Sequence, residues 1–438
     1  MKLLELLKDI PVLESNVSMD LDIAHVAYDS RKVTSGGLFV AITGFAADGN
    51  RFIPMALEKG AAAVVTAKKP EGDVPYILVE SDRQALALIG CNFYGHPARS
   101  MKMVGVTGTN GKTSVTLILK HVLEKTLGAK VGLIGTTANM IGDEVIPTER
   151  TTPESFELQG LFARMRDAGC THVVMEVSSH AIALDRVAGV RFDAAAFTNL
   201  TEDHLDFHKT MDDYCDTKAE LFRRCKKGVI NCDDSYARRF LDAASCEVLT
   251  TSVAGEGTLS AKNLELRSDG IVFDAVLGGK SVPVRLGIPG KFTVYNALTV
   301  LGLAVSLGIS LKRAAGALAD APGVKGRVEV VPTPAPATPS SSTTPTPPTD
   351  WKMSCPPSGA SAPVGSSPSS AAAATVTPSS APLWARSARG WRISPSSPPT
   401  IPAPSPPRPS SPISPPAQTA PASPTRWSST ASRPSAAP

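Results

Sequence analysis

The sequence predicts an α/β protein: a small α/β N-terminal domain, then a doubly wound central domain, then a Pro/Ser/Ala-rich tail expected to be disordered. Three observations predict it. Short apolar runs of β type alternate with helical periods from Met101 onward, the rhythm of a parallel sheet with crossover helices. A glycine-rich loop separates the first of those runs from the helix after it. The composition breaks near residue 331.

That break governs how the averages are read. Of 38 prolines, 28 follow Val331, as do all four tryptophans, while Asp350 is the one acidic residue there. Seven Lys and Arg against that single Asp leave the tail at +6, so residues 1–331 sit near −2 although the whole chain is +4. The basic pI belongs to the tail and gives no reason to expect a nucleic-acid partner. No apolar run approaches the ~20 residues of a membrane span, and MKLLELLKDI carries acids inside a very short apolar stretch, unlike a signal peptide. The seven cysteines form no CxxC pair, so reduced thiols in a cytoplasmic protein are expected.

Residues 1–97 read as the first domain. VAYDSRKVTSGGLFVAITG alternates β-type runs with turn residues, and MALEKGAAAVVTAKK reads as a helix followed by a strand. The His96-Pro97 step marks the boundary. Residues 98–327 supply candidate strands at 103–106, 130–135, 172–177, 194–199 and 227–232. Helical patterns at 113–128, 154–169 and 212–225 lie between them, a β-rich stretch covers 259–286, and helices close the domain at 296–308 and 311–320. Residues 328–438 show no period of 2 or 3.6 and bury too little apolar surface to offset chain entropy.

The strongest local signal is Val104-Gly-Val-Thr-Gly-Thr-Asn-Gly-Lys-Thr113, between an apolar strand and a helix. Gly108 and Gly111 let backbone amides close on phosphate oxygens at a helix N-terminus. Lys112 suits the β/γ-phosphates of ATP, and the Thr113 hydroxyl suits Mg²⁺. Val106 stands where the usual spacing has glycine, so this is a variant P-loop. Glu176 ends a strand, where a carboxylate opens into the ligand crevice of such sheets and fits Mg²⁺; capping a neighbouring helix is an equal reading. His204 and His208, four apart, can share a helix face as zinc ligands, but surface histidines are the larger expectation. Lys218, in a helix with acids on both sides, reads as a solvated charge.

Taken in series, these stretches resemble the Mur ligases, ATP-dependent amino-acid-adding enzymes of peptidoglycan synthesis, from about residue 20 to Glu329. Gly108-Thr109-Asn110-Gly111-Lys112-Thr113, with Ser114 next, resembles the family's ATP-binding loop. Asp29-Ser30-Arg31 and Gly44-Phe45-Ala46-Ala47-Asp48-Gly49 resemble its uridine-nucleotide segments. The resemblance implies that Ser30, Phe45, Ala46, Ala47, Thr151, Thr152, Ser178 and Arg186 hold the substrate. It implies Thr113, Glu176 and His204 as Mg²⁺ ligands, and Lys218 as a lysine carboxylated to a metal-binding carbamate; Lys112, Lys218, Glu176 and His204 are then the catalytic set. Leu184 stands where some members place a glutamine near the substrate. The implied reaction phosphorylates the D-glutamate carboxylate of UDP-N-acetylmuramoyl-L-alanyl-D-glutamate to an acyl phosphate, which the amine of meso-diaminopimelate attacks. A monomer with small-molecule substrates, and no nucleic-acid or membrane partner, is expected.

Gly326-Arg327-Val328-Glu329 resembles the hinge into the family's third domain, and there the resemblance stops. A suitable choice of synonymous codons for Thr338–Met353, read one base earlier, gives YTVLIDYAHTPDGLEN. The same shift over Pro398–Ser405 gives SDNPRTE. DYAHTPD and DNPR both resemble family motifs, the second one for diaminopimelate recognition. A frameshift near Thr333–Ala335 is therefore expected, and weak or absent ligation by the chain as written. The alternatives are a lysine-adding relative, a folylpolyglutamate-synthase-like ligase, which the Asp-Ser-Arg segment opposes, and a non-catalytic nucleotide-binding remnant with a Pro-rich interaction arm.

Overall fold

The computed structural model describes residues 1–44, 48–324 and 327; the tail reading and Phe45–Ala47 lie outside them. The first part comprises α1 (Leu3–Leu6), β1 (Val12–Ser15), β2 (His25–Ala27), β3 (Gly37–Val40), α2 (Ile53–Glu58), β4 (Ala61–Thr66), β5 (Tyr76–Val79) and α3 (Asp82–Phe93). Its five strands lie in the order β1-β5-β4-β3-β2, parallel except for β1. Alternation along β3 sends Leu38 and Val40 to one core and Phe39 to the other, so both faces of the sheet are covered.

A 3₁₀ turn, Pro97–Ser100, leads into β6 (Lys102–Thr107), α4 (Lys112–Leu127), β7 (Val131–Ile134), β8 (Asn139–Ile141), β9 (Glu144–Ile146), α5 (Ser155–Asp167), β10 (His172–Glu176), α6 (Ser179–Ala183) and β11 (Ala194–Phe197). Then follow α7 (Leu205–His208), α8 (Met211–Ala219), β12 (Lys227–Asn231), α9 (Ala237–Ala243), β13 (Glu247–Ser252), β14 (Leu259–Arg267), β15 (Gly270–Leu277), β16 (Lys280–Leu286), α10 (Lys291–Ser306) and α11 (Leu311–Leu318). The helix expected over 212–225 stops at Ala219 and tightens into a 3₁₀ turn, Glu220–Arg223.

The sheet order is β16-β15-β14-β13-β12-β11-β6-β10-β7-β8-β9. From β13 to β7 all neighbours are parallel; antiparallel hairpins extend both edges. The period of two builds two cores: Val104, Val174, Ala194 and Ala196 pack with α4, α10 and α11, while Met103, Met175, Ala195 and Phe197 pack with α5, α8 and α9. The chain leaves β6 toward β7 and β10 on one side, then returns to place β11 on the other. That reversal opens a crevice beyond the C-terminal ends of β6, β10 and β11.

The two sheets are joined through α3 and α5. Gly90 leaves room for Phe156, and a Cβ there would lie 3.4 Å from the Phe156 backbone. Phe93, Tyr94 and Phe156 form an aromatic cluster with centroids 5.0–5.6 Å apart.

Candidate functional site

The loop Gly108–Gly111 sits at the crevice, between β6 and α4. Gly108 has φ +139°, and a Cβ on it would lie 2.0 Å from Thr198 Oγ1, so glycine is required twice over. Val106 needs no glycine because it is still strand, paired with Glu176 and Ala196 and fully buried. The residues after β11 brace the loop. Thr109 N donates to the Asn199 carbonyl at 2.8 Å, Asn110 N to Asn199 Oδ1 at 2.9 Å, and Thr198 Oγ1 to the Asn110 carbonyl at 2.6 Å. Asn296 of α10 closes the far side, its Oδ1 2.6 Å from where a Gly111 Cβ would be. Ser114 follows on the first turn of α4.

Two lysines meet at this loop. Lys112 Nζ donates to the Gly108 and Thr109 carbonyls at 2.9 and 2.8 Å, and Lys218 Nζ donates to the same Gly108 carbonyl at 3.0 Å. Lys218 is 1% exposed, with its Nζ 4.5 Å from the Tyr214 ring centre. The reading of Lys218 as a solvated charge is therefore overturned. The acids of α8 face outward, where Arg239 of α9 bridges Asp212 and Asp216, and that turns Lys218 inward beneath the loop. Burial first, and Lys112 second, push the Lys218 amine well below the usual lysine range. Thr210 caps α8 through the Asp213 amide at 3.1 Å, fixing the helix that carries it.

Glu176 ends β10 and is 1% exposed. Its Oε2 accepts from Thr113 Oγ1 and Thr136 Oγ1, both at 3.1 Å, and its Oε1 accepts from Thr136 N at 2.8 Å. The helix-capping reading does not apply, since every one of these partners belongs to the crevice. Thr113 and Glu176 thus set a hydroxyl and a carboxylate side by side, hard oxygen donors suited to Mg²⁺.

A cavity of about 350 Å³ adjoins Glu176. Thr136, Arg150, Thr151, Thr152, Ser178, His180, Arg186 and His204 are among its lining residues. Thr152 spends its hydroxyl on the Glu176 carbonyl at 2.9 Å, and Ser178 Oγ caps α6 through Ala181 N at 3.2 Å. Both shape the wall from within. His204 is left-handed (φ +54°) at the N-cap of α7, its side chain 45% exposed. His208 is instead buried, against Phe207 and Tyr214. The shared-face zinc pair fails because α7 is a single turn entered from a left-handed residue, and among the described residues no three His, Cys, Asp or Glu side chains form a metal cluster. Leu184 is half-buried at the end of α6 and lines neither cavity.

Burial holds the His208 imidazole down to about 4. An unfolded histidine takes up its proton near pH 6.5, so the native state loses stability as pH falls from about 6.5 to about 4. His208→Gln is expected to flatten this acid-side loss, read from urea midpoints at pH 7 and pH 5.

A larger cavity, about 1180 Å³, includes Asp29, Ser30, Arg31, Gly44, Gly49 and Tyr94 in its lining. The Asp29 carboxyl is lowered to about 2 by its hydrogen bond to Arg31. Glu154 stands between the cavities. It is 5% exposed, with Arg186 Nε at 3.3 Å, Arg83 Nη1 at 3.5 Å and Arg150 Nη1 at 4.0 Å from its Oε2. Three guanidinium groups around one buried carboxylate leave positive charge over for an anionic ligand. Arg83 belongs to α3, and Tyr28, the residue after β2, bonds Glu157, so these contacts tie the part built on the five-stranded sheet to α5. Sequence reasoning missed Glu154, Arg83, Thr136 and Asn296, and gave Asn199 no role although it lies in the run of ligand-type residues from Thr198 to His208; TTPE, extending the Thr151-Thr152 pair, offered a signal for Glu154.

The model of the Mur ligase middle domain matches residues 106–304, and that of the Mur ligase family catalytic domain matches residues 22–94. A UDP-N-acetylmuramoyl-L-alanyl-D-glutamate–2,6-diaminopimelate ligase of Caldanaerobacter subterraneus subsp. tengcongensis is 46% identical over 336 residues, covering 76% of this chain and 69% of the relative. The chain belongs to the Mur ligase family. A Mur ligase of the same name from Clostridium botulinum is 46% identical over 315 residues, 71% of this chain and 65% of the relative. The chain thus spans about two thirds of the length of these relatives. Among solved Mur ligases, one so named superposes with a TM-score of 0.68 at 25% identity, over 76% of this chain and 69% of that one. A MurF of Acinetobacter baumannii, at 21% identity and TM-score 0.55 over 77% of this chain and 71% of its own, shares the fold. No helix among the described residues is long and apolar enough to cross a membrane.

Proposed function

We propose that residues 1–97 and 98–327 are the UDP-substrate-binding and ATP-binding domains of a cytoplasmic ligase that adds meso-2,6-diaminopimelate to UDP-N-acetylmuramoyl-L-alanyl-D-glutamate. The observation that carries this reading is the convergence of Lys112, Lys218, Thr113 and Glu176 on one loop, opening into a cavity lined by Arg186 and His204. Relatives at 46% identity bear that ligase's name.

The residues present divide the work. The amides of Gly108–Gly111 and the N-terminus of α4 receive the phosphates of ATP, and Lys112 neutralises charge on the transferring phosphoryl group. Arg186, steadied by Glu154, holds an acidic group of the muramoyl-dipeptide so that its D-glutamate carboxylate lies toward Glu176. A carboxylate is a poor electrophile; as an acyl phosphate it accepts the incoming amine and expels phosphate. Thr113, Glu176, His204 and a carboxylated Lys218 would hold Mg²⁺, whose chemistry there would be to offset the negative charge of the ATP phosphates. Lys218 suits that role because burial first, and Lys112 second, lower its pKa and so favour the neutral amine, the form that adds to CO₂.

Residues 328–438 are, on this reading, the third domain translated out of frame. Closure over ATP then has no partner domain, and closure is what completes such sites. The purified 438-residue chain should bind Mg²⁺–ATP and the UDP-dipeptide in calorimetry while forming little or no amide. Failure to bind the UDP-dipeptide would overturn the substrate assignment. Robust amide formation would overturn the frameshift. Nucleotide binding without any UDP-dipeptide affinity would instead favour a nucleotide-binding remnant.

A further inference from the structure

Cys225 and Cys246 place their sulfurs 3.4 Å apart although they stand 21 positions apart in sequence. Strand register brings them together. β12 and β13 are adjacent parallel strands with Lys227 opposite Glu247; Cys225 precedes the first by two residues and Cys246 precedes the second by one. The pair therefore sits at the N-terminal edge of the sheet, at the opposite end from the nucleotide loop. Both residues are half-buried, so a small reagent can reach them, and neither is in a disulfide. The other described cysteines are arranged differently: Cys91, Cys170 and Cys215 are buried, and Cys232 Sγ donates to the Thr251 carbonyl at 3.1 Å.

We propose that Cys225 and Cys246 form a reversible oxidation site, closed to a disulfide by small-molecule disulfides. Sulfurs already in contact need only a small approach to reach bonding distance. Burial and the neighbouring Cys246 push the Cys225 thiol up; the exchange can begin at either sulfur, and from Cys246 it takes two steps. The Cys246 thiolate attacks one sulfur of R–S–S–R and expels the first R–S⁻. The Cys225 thiol then gives its proton to that thiolate and attacks the Cys246 sulfur of the mixed disulfide, expelling the second R–S⁻, which is protonated by water replacing the proton Cys246 gave up. Two Cys–SH and one R–S–S–R become one protein disulfide and two R–SH, a two-electron oxidation of the pair matched by a two-electron reduction of the reagent.

The new bond would close a loop containing β12 and α9. α9 supports the helix of Lys218 through Arg239, and Phe240 stacks on Phe197 at 3.7 Å between centroids. Closing a loop of this length lowers the entropy of the unfolded chain, so oxidation should raise Tm by about 5 °C.

The test treats the chain with oxidised glutathione, blocks remaining thiols with iodoacetamide and maps the peptides. The expected result is one Cys225–Cys246 cross-linked peptide, two hydrogens lighter than its reduced parts and lost on adding dithiothreitol. Cys225→Ser and Cys246→Ser, made separately, should each abolish both the cross-link and the Tm rise. Should one variant fold poorly, the other and the peptide map of the parent chain decide the matter. Separate glutathione adducts on the two residues, iodoacetamide on both, or an unchanged Tm in the cross-linked chain would overturn the proposal.

Discussion

In a ligase whose third domain is read in frame, Lys218→Ala and Lys218→Arg are both expected to cut kcat by on the order of 10²–10³ while leaving the KM for ATP within about threefold. The equivalence of the two variants is the informative part. If Lys218 acted as a buried cation, arginine would keep the charge and much of the rate. Its position argues otherwise: Lys112 already supplies a cation to the same Gly108 carbonyl, and a second buried ammonium beside it costs desolvation with no carboxylate bonded to it among the described residues. The neutral amine that burial favours adds to CO₂ and releases a proton, leaving a carbamate anion able to hold Mg²⁺; a guanidinium stays charged and cannot. The check is ¹³C NMR after exchange with labelled bicarbonate. One carbamate signal is expected in the parent protein and none in either variant. Arginine at 218 with near-parental kcat would contradict this role.

The second large effect lies in the gene. Re-reading codons 330–340 is expected to show one base gained or lost near Thr333–Ala335, and the intact protein from its native source should be heavier than the 45.7 kDa of this chain. The composition supports it: 28 of 38 prolines and all four tryptophans lie beyond Val331, with one acid, a break that a change of frame there accounts for. A gene that keeps its frame, with a native mass of 45.7 kDa, would sink the proposal and make the tail a genuine segment.

What was legible in the sequence was local. Gly108 to Thr113 can be read because each residue acts through its own backbone or the adjacent helix end, and Glu176 because a strand end in a parallel sheet has a known direction. The alternation of Met103, Val104 and Val106 likewise announced a strand buried on two faces. Lys218 was illegible from its neighbours. Acids at 212, 213, 216 and 220 describe a solvated helix face, and only the packing of α8 under the loop shows that Lys218 points the other way. Glu154 was missed for a similar reason: its three guanidinium partners come from positions 83, 150 and 186, and no spacing rule joins them. The Cys225–Cys246 contact exists only through strand register.

The most direct test of the central claim is a product analysis with the frame-restored protein. Supplied with ATP, Mg²⁺, UDP-N-acetylmuramoyl-L-alanyl-D-glutamate and equal meso-diaminopimelate and L-lysine, it should release one ADP per amide formed, with diaminopimelate as the amino acid joined. ADP release without amide, or lysine as the residue added, would contradict the account.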